Sequence, residues 1–229
     1  MKIGLILTPD NRSKAYLQKI LRHNISIDEI IFMNDKRNEE KFSSEKINQA
    51  KNNGFDISES VESTLKNNKL KFKELPFVDI NNKHLISYLK EKDLDYTIFS
   101  GGGILKKEIL GINTKFLHFH PGIVPEYKGS TCFYYSILDK NECGVSVIIM
   151  AEGLDTGDVV HQKTFHIPKH NFIDEIYDPH IRSETMIELF KNNILERNEF
   201  KKQNPVEGNT YYIIHPVLKH IAVLSCQKN

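Results

Sequence analysis

The sequence has no tryptophan, only three cysteines and no long run of apolar residues. The cysteines, Cys132, Cys143 and Cys226, stand in none of the CxxC or CxxH spacings of a structural zinc site, and their number does not suggest a disulfide framework. We therefore expect reduced thiols in a cytoplasmic protein. No apolar stretch approaches the roughly 20 residues that a membrane-spanning helix needs. The first ten residues also lack the cleavage site of a signal peptide.

The sequence also lacks an excess of charge of either sign, with 31 Lys and Arg against 30 Asp and Glu. Proteins that bind nucleic acid through the phosphate backbone normally carry a basic surplus. We therefore expect neither a nucleic-acid partner nor a membrane surface. A chain of 229 residues with 39% hydrophobic content is long enough for one globular domain with a small appendage.

Apolar runs alternate with amphipathic helical patterns along the first part of the chain. KIGLILT (2–8) is typical of a buried central strand, RSKAYLQKILRH (12–23) has a helical apolar stripe, and DEIIFMN (28–34) predicts a second strand. A strand, a helix and a strand in that order indicate a parallel sheet. The turn after the first strand has no glycine, which argues against a dinucleotide cofactor. The sequence thus predicts an α/β, Rossmann-like fold with a mainly parallel, doubly wound sheet.

The domain organisation follows from where these patterns change. We place a catalytic domain at residues 1–165 and a small C-terminal helical extension, packed on the same domain, at residues 166–229. Residues 35–70 are polar and charged, so we interpret them as a solvated surface insertion that contains a short helix ending near Asn67.

The stretch 115–158 concentrates turn residues, imidazoles and a carboxylate between two apolar runs, and we interpret it as an active site. Side chains alternate along a strand, so His118 and His120 in KFLHFH should point to the same face. Pro121 cannot continue a central ladder, so the strand should end at His120. That is the carboxyl end, where open α/β sheets bind ligands.

Three short segments around this strand are rich in turn residues. The segment PGIVPEYKGST predicts an ordered loop from which Tyr127 and Lys128 can face a ligand. Asp155 lies in the turn GLDTGD, whose glycines allow unusual dihedrals, so its carboxylate can face a cleft. Upstream, the run Gly101–Gly103 ends the strand DYTIFS and could place its main chain against a flat ligand, although alone it equally indicates a tight turn.

Two clusters lie beyond residue 165. YDPHIRSE brings Asp178 and Arg182 together around Pro179. These residues could recognise a substrate or could form the charged start of a helix, and we favour the helix start. In the tail, Tyr211 and Tyr212 could stack on a sugar or a base, although core packing is the commoner role of such pairs.

The pair HPGIVPEYKG (120–129) and GLDTGD (153–158) resembles the signature of the folate-dependent formyltransferases. That superfamily includes glycinamide ribonucleotide, methionyl-tRNA and sugar N-formyltransferases. The resemblance extends upstream through LDYTIFSGGGILKKEIL and fades before about residue 70. The family pattern reads Asn, any residue, His, Pro, whereas this chain has His118 in the position of the Asn.

The resemblance implies transfer of a formyl group from 10-formyltetrahydrofolate to a primary amine. It implies that His120 is the catalytic histidine, that Asp155 orients it and relays protons, and that His118 takes the oxyanion position. An imidazole N–H can donate as an amide does, but one imidazole cannot replace both the donor and the acceptor of Asn. The residues implied to contact the folate cofactor are Gly101, Gly102, Gly103, Ile104, Leu105, Gly153 and Leu154. Those implied to bind the acceptor substrate are Tyr127, Lys128 and Gly129.

The acceptor is less defined by the sequence than the donor. We favour the amine of a nucleotide-linked sugar, because few residues follow the catalytic region compared with methionyl-tRNA formyltransferase and no basic surplus is available for phosphate contacts. Glycinamide ribonucleotide also fits the length, and a homodimer is left open.

Two readings from other classes of protein remain beside this one. The HxH pair is also how many metal-dependent hydrolases hold zinc, but no third strong ligand is obvious, so we predict no metal. The protein could also be a non-catalytic ligand-binding relative in which His118 marks a lost activity.

Overall fold

The computed structural model describes residues 1–37, 40–204 and 206–227 and consists of two compact units, Met1–His118 and Phe119–Asn229. This division lies inside the strand that carries the two histidines, not at residue 165. The assignment of residues 1–165 to a catalytic domain and of residues 166–229 to a helical extension packed on it stays a prediction.

The first unit is a parallel α/β sheet, as the sequence predicts. Its strands are β1 (Ile3–Leu7), β2 (Glu29–Met33), β3 (Lys73–Leu75), β4 (Tyr96–Phe99) and β5 (Lys115–His120). They lie in the order β3-β2-β1-β4-β5, and all four pairings are parallel. Its helices are α1 (Asn11–Arg22), α2 (Ser44–Asn52), α3 (Val61–Asn67), α4 (Lys83–Lys90) and α5 (Lys107–Leu110). β5 crosses the division, because its last two residues belong to the second unit.

The centre of this sheet is β1, in which all five residues are buried. Leu5 pairs with Ile30 on one side and with Ile98 on the other, so the strand is covered along both edges. The Asp10 side chain accepts a hydrogen bond from the backbone N–H of Ser13 and so caps α1 directly after the strand. The continuous apolar run therefore predicts the strand and its position correctly.

The segment 35–70 differs from the expected surface insertion. It contains two helices, α2 and α3, of which only α3, ending at Asn67, is predicted. Phe55, Ile57 and Leu65 are at most 1% exposed, so one side of the segment is part of the core. The prediction of a purely solvated segment is wrong. A few widely spaced apolar residues among the charged ones are enough to pack the segment against the core.

The second unit contains antiparallel and parallel pairs. Its elements are β6 (Tyr127–Gly129), α6 (Cys132–Lys140), β7 (Glu142–Ile149), β8 (Val159–His166), a π-helix (Ile173–Tyr177), α7 (Asp178–Lys191), α8 (Ile194–Arg197), β9 (Asn209–Tyr211) and α9 (Pro216–Gln227). β7 and β8 are antiparallel, and β6 pairs in parallel with β9. Pro179 lies in the first turn of α7, as predicted. The loop predicted over residues 121–131 contains the short strand β6, which a local pattern could not reveal because its partner β9 lies far along the chain.

The aromatic pair in the tail has a divided role. The Tyr211 ring stacks on that of Tyr127 with 5.5 Å between ring centroids, whereas Tyr212 is 81% exposed. Core packing therefore accounts for Tyr211 but not for Tyr212. Within the described ranges, no helix combines the length and the apolar character required to cross a membrane.

We expect Leu65→Ala to destabilise the protein by about 2–5 kcal/mol, because it removes a fully buried side chain from the anchored face of α3. Lys66→Ala is the matched control, since this exposed neighbour forms a surface ion pair with Glu62 and its loss should cost at most about 0.5 kcal/mol. Urea denaturation measures both free energies of unfolding. Equal values for the two variants would contradict the packing of this segment.

Candidate active site

The site is built around the carboxyl end of β5, which ends at His120 as predicted. The carbonyl of Phe119 accepts a hydrogen bond of 2.6 Å from Nη1 of Arg182. Nε of the same guanidinium donates to the carboxylate of Asp178 at 2.6 Å, and both side chains are less than 10% exposed. A buried ion pair on α7 thus fixes the backbone immediately before His120.

The His120 ring is 1% exposed and has an acceptor at each nitrogen. Nε2 lies 2.8 Å from the carbonyl oxygen of Tyr127, and Nδ1 lies 3.3 Å from Oδ2 of Asp155. Because a carbonyl oxygen only accepts, Nε2 carries a proton and Nδ1 is the atom directed at the carboxylate. Burial lowers the pKa of His120, while the Asp155 charge and the Tyr127 carbonyl oppose that shift. The imidazole and the carboxylate can therefore share one proton between Nδ1 and Oδ2.

Asp155 has an uncommon backbone conformation. Its φ of +53° lies in the left-handed region, which residues other than Gly, Asn and Asp rarely adopt. Its Oδ2 accepts a hydrogen bond of 2.8 Å from the backbone N–H of Gly129. At Gly157 a Cβ would lie 1.6 Å from the carbonyl oxygen of Ile149, so the same turn requires glycine two residues later.

The turn after His120 depends on Gly122. A Cβ there would lie 2.9 Å from Nε2 of His120 and 2.8 Å from the Tyr127 carbonyl oxygen, so only glycine lets the two atoms meet. The Ser146 hydroxyl on β7 donates to the Gly122 carbonyl at 2.7 Å and accepts from the Val124 N–H at 3.0 Å. The Pro-Gly segment is therefore the ordered loop that the sequence predicts.

His118 is half-buried and lies two residues before His120 on β5. One ring nitrogen from each histidine and one oxygen of Asp155 lie within 4.8 Å of one another. These three side chains are the predicted catalytic set. They could also hold a metal ion, so the structure supplies the third ligand that the sequence did not make obvious. Metal analysis of the purified protein distinguishes a metal centre from a proton-transfer site.

The structure corrects the expected orientation of two predicted acceptor-binding side chains. Tyr127 is buried, its hydroxyl donates to Asp139 at 2.5 Å, and burial raises the pKa of its phenol. Lys128 is also buried, and its Nζ donates to the Glu207 carbonyl at 2.6 Å. Both side chains thus hold the loop to its own unit instead of facing a ligand. Gly129 contributes the N–H that binds Asp155.

The predicted folate loop lies in the first unit. Gly102, Gly103 and Ile104 are exposed there, while Gly101 and Leu105 are buried. Asn81 orders the loop, because its side chain donates to the Ile104 carbonyl at 2.9 Å and accepts from the Lys106 N–H at 2.8 Å. In the second unit, the predicted contact residues Gly153 and Leu154 are also exposed.

Sequence reasoning missed two groups that support the site. Arg182 lies near the start of α7, in agreement with the predicted charged helix start, but nothing in the sequence pattern indicates that it reaches the Phe119 carbonyl. Gln203, in a polar segment after α8, donates from Nε2 to the carbonyl oxygens of Asp155 at 3.0 Å and Gly157 at 2.5 Å. No sequence signal distinguishes this glutamine.

Comparison with known proteins identifies the family of the chain. The sequence matches the formyl transferase family over residues 29–188, and the chain belongs to that family. Methionyl-tRNA formyltransferase of Finegoldia magna is 31% identical over 103 residues, which are 44% of this chain and 33% of that protein. The chain thus matches about a third of the length of this curated relative.

Solved structures share the fold at lower identity. An N-formyltransferase from Helicobacter canadensis, in complex with folinic acid and dTDP-3-aminofucose, has a TM-score of 0.61 and 17% identity, covering 99% of this chain and 81% of that chain. Glycinamide ribonucleotide transformylase 1 from Symbiobacterium toebii has a TM-score of 0.61 and 11% identity, covering 89% of this chain and 94% of that chain. The mainly parallel α/β fold predicted from the sequence is confirmed.

We expect Arg182→Met to cost about 3–5 kcal/mol of stability, because the substitution leaves the buried Asp178 carboxylate without its charged partner. Arg197→Met, at an exposed arginine that donates to the Asn192 carbonyl, is the control and should change stability by at most about 0.5 kcal/mol. In the double variant Asp178→Asn/Arg182→Met, the loss should be smaller than for Arg182→Met alone. Urea denaturation measures the free energy of unfolding of all three variants. Similar losses for Arg182→Met and Arg197→Met would contradict a stabilising role of the buried Asp178–Arg182 ion pair.

Proposed function

We propose that the protein is an N-formyltransferase that moves a formyl group from 10-formyltetrahydrofolate to the primary amine of a nucleotide-linked amino sugar. The observation that carries the proposal is the buried contact between His120 and Asp155 at the end of β5, in a chain of the formyl transferase family. In the reaction the amine nitrogen bonds to the formyl carbon, the bond from that carbon to folate N10 breaks, and one proton passes from the amine to N10.

The residues present fit a folate. Gly102 and Gly103 are exposed and carry no side chain, so their main chain is open to a flat ring system. Ile104 is 72% exposed in the first unit and Leu154 is 50% exposed in the second, so each apolar side chain is accessible to a ligand. Folate, when bound, supplies the activated formyl group. The complex of the Helicobacter protein with folinic acid supports this choice of donor.

The His120–Asp155 pair places an imidazole beside a carboxylate, and both groups can accept and release a proton. The acceptor must react as a free amine, and its nitrogen must lose a proton as the new bond forms. We assign the removal of that proton to the Asp155 carboxylate, directly or through water, and its temporary storage to Nδ1 of His120. The protonated ring would then have a hydrogen-bond acceptor at both nitrogens.

We assign the oxyanion to His118. The developing negative charge on the formyl oxygen needs a donor that is already in place. His118 lies on the same strand as His120, at a half-buried position, and its ring N–H can supply one hydrogen bond. This replaces the side-chain amide that the family pattern has at this position with a group that can also carry a full positive charge.

The choice of a nucleotide-linked sugar as acceptor rests on the fold match to the Helicobacter protein and on the net charge of this chain. The fold of the Helicobacter protein, which was solved with dTDP-3-aminofucose, covers 99% of this chain. The net charge of +1 does not provide the electrostatic attraction that a transfer RNA acceptor would use. Methionyl-tRNA remains the second candidate, because the curated relative from Finegoldia magna acts on it by name.

Titration calorimetry with folinic acid, followed by a formylation screen, tests this function. We expect folinic acid to bind with one-to-one stoichiometry and the formyl group of 10-formyltetrahydrofolate to be transferred to one or more nucleotide-linked amino sugars. Glycinamide ribonucleotide and methionyl-tRNA are the comparison acceptors. Absence of folate binding would refute the proposal, whereas turnover of a comparison acceptor alone would refute only the sugar assignment.

We expect His118→Ala to lower kcat by an amount equivalent to about 2.7–4 kcal/mol, the usual effect of deleting one oxyanion donor, with little change in folate affinity. His118→Asn should restore much of the rate, because its amide N–H can donate in the same way. His84→Ala, at an exposed histidine of α4, is the control and should leave kcat unchanged. Steady-state kinetics give these values.

Two results would argue against the donor role. Unchanged turnover in His118→Ala would exclude it. A protein that is inactive until Asn is introduced at position 118 would instead identify the present chain as a relative that has lost its activity.

A further inference from the structure

The turn that presents Asp155 is held by a side chain from a distant part of the second unit. Gln203 donates from Nε2 to two carbonyl oxygens of that turn, those of Asp155 at 3.0 Å and Gly157 at 2.5 Å. The chain is attached beside the turn two residues earlier, where Lys201 and Val159 exchange backbone hydrogen bonds of 2.8 and 2.9 Å. The matched region of the formyl transferase family ends at residue 188, so Gln203 lies outside it.

The orientation of the Gln203 amide is fixed by its acceptors. Both partners are carbonyl oxygens, which cannot donate, so the NH₂ group and not the oxygen must face them. The opposite atom, Oε1, is buried and has no hydrogen-bond partner among the residues that the structure describes. A buried acceptor without a partner is costly and calls for an explanation. In this orientation Oε1 stays without a hydrogen bond, while Nε2 donates two hydrogen bonds to carbonyl oxygens of the same turn.

The turn needs such support because its conformation is unfavourable. Asp155 has a φ of +53°, in the left-handed region, which is less favourable than the right-handed one even for Asp, so hydrogen bonds to the turn help to hold it. Gly129 restrains the Asp155 carboxylate, and Gln203 restrains its carbonyl. The two hydrogen bonds hold opposite ends of the same residue and so set the direction in which Oδ2 faces His120.

We propose that Gln203 is a positioning residue, which keeps the Asp155 turn in its left-handed conformation and thereby keeps the carboxylate against Gly129 and His120. It does not itself contact the reacting groups. The catalytic consequence rests on the proposed formyl transfer, whereas the positioning of Asp155 does not. A displacement of about 1 Å at a reacting group can cost on the order of 10²-fold in rate.

The Gly129 amide reports the position of Asp155 without any substrate. Its hydrogen goes to Oδ2 of Asp155, whereas the amide of the next residue, Ser130, goes to the carbonyl of Tyr211 at 2.9 Å. In Gln203→Met, which keeps the size of the side chain and removes the donor, we expect the Gly129 amide to exchange with solvent about 10-fold faster or more. Ser130 should exchange at its original rate. NMR hydrogen exchange measures both amides in one sample.

Lys202→Met, the same substitution at the exposed neighbour, is the matched control and should leave both rates unchanged. Gln203→Glu keeps the shape but directs carboxylate oxygens at two carbonyls, so it should accelerate Gly129 exchange at least as much as Gln203→Met. Unchanged exchange at Gly129 in both Gln203 variants would overturn the proposal. Equal acceleration at Gly129 and Ser130 would also overturn it, because that result indicates a general loosening of the unit.

Kinetics then test the catalytic consequence. We expect Gln203→Met to lower kcat by on the order of 10- to 10²-fold while KM for donor and acceptor stays within about twofold, because substrate binding is left intact. A fall in kcat without faster Gly129 exchange would refute positioning but leave formyl transfer standing. Faster Gly129 exchange in a protein that transfers no formyl group would refute the function and leave the positioning of Asp155 standing.

A measurement on the unsubstituted protein covers the case in which the variants do not fold. The side-chain amide hydrogens of Gln203 should exchange at least about 10-fold more slowly than those of Asn204, an exposed side chain that donates to the carboxylate of Glu207. Exchange of the Gln203 side chain at the rate of a solvated amide would overturn the inference.

Discussion

The single contact on which the site depends is the one between the Asp155 carboxylate and the backbone N–H of Gly129. It binds the GLDTGD turn to β6, and β6 in turn carries the Tyr127 carbonyl that receives Nε2 of His120. The imidazole and the carboxylate are thus fixed by the same three-residue strand. Because a strand of this length has little stability alone, its geometry depends on what pairs with it.

That pairing comes from the far end of the chain. β9 lies parallel to β6, and a Cβ on Gly129 would stand 2.0 Å from the Tyr211 carbonyl oxygen, so the approach is as close as glycine permits. A second close approach occurs at Gly208, where a Cβ would lie 1.6 Å from the Pro125 carbonyl oxygen. The segment after α8 is therefore a structural part of the site.

The sequence predicts the local features well and the distant ones poorly. The strand ending at His120 follows from alternation and from Pro121, and the turn at Asp155 follows from its glycines, because both signals lie within a few residues. Gln203 and Arg182 could not be recognised, since each acts on a backbone carbonyl far away in sequence. The burial of Tyr127 is hidden from sequence reasoning for the same reason, because the loop pattern does not show that Asp139 is the partner of its hydroxyl.

The two histidines of β5 differ in what they can do. His120 is 1% exposed and has an acceptor at each nitrogen, which suits an imidazole that stores a proton but leaves little of its surface for a substrate. Asp155, whose side chain is 10% exposed, and the half-buried His118 are the groups nearer to solvent. In the proposed reaction, contact with the substrate therefore belongs to Asp155 and His118, and His120 acts behind the carboxylate. A second imidazole in this position adds a donor whose strength depends on its protonation, which an amide at the same place could not provide.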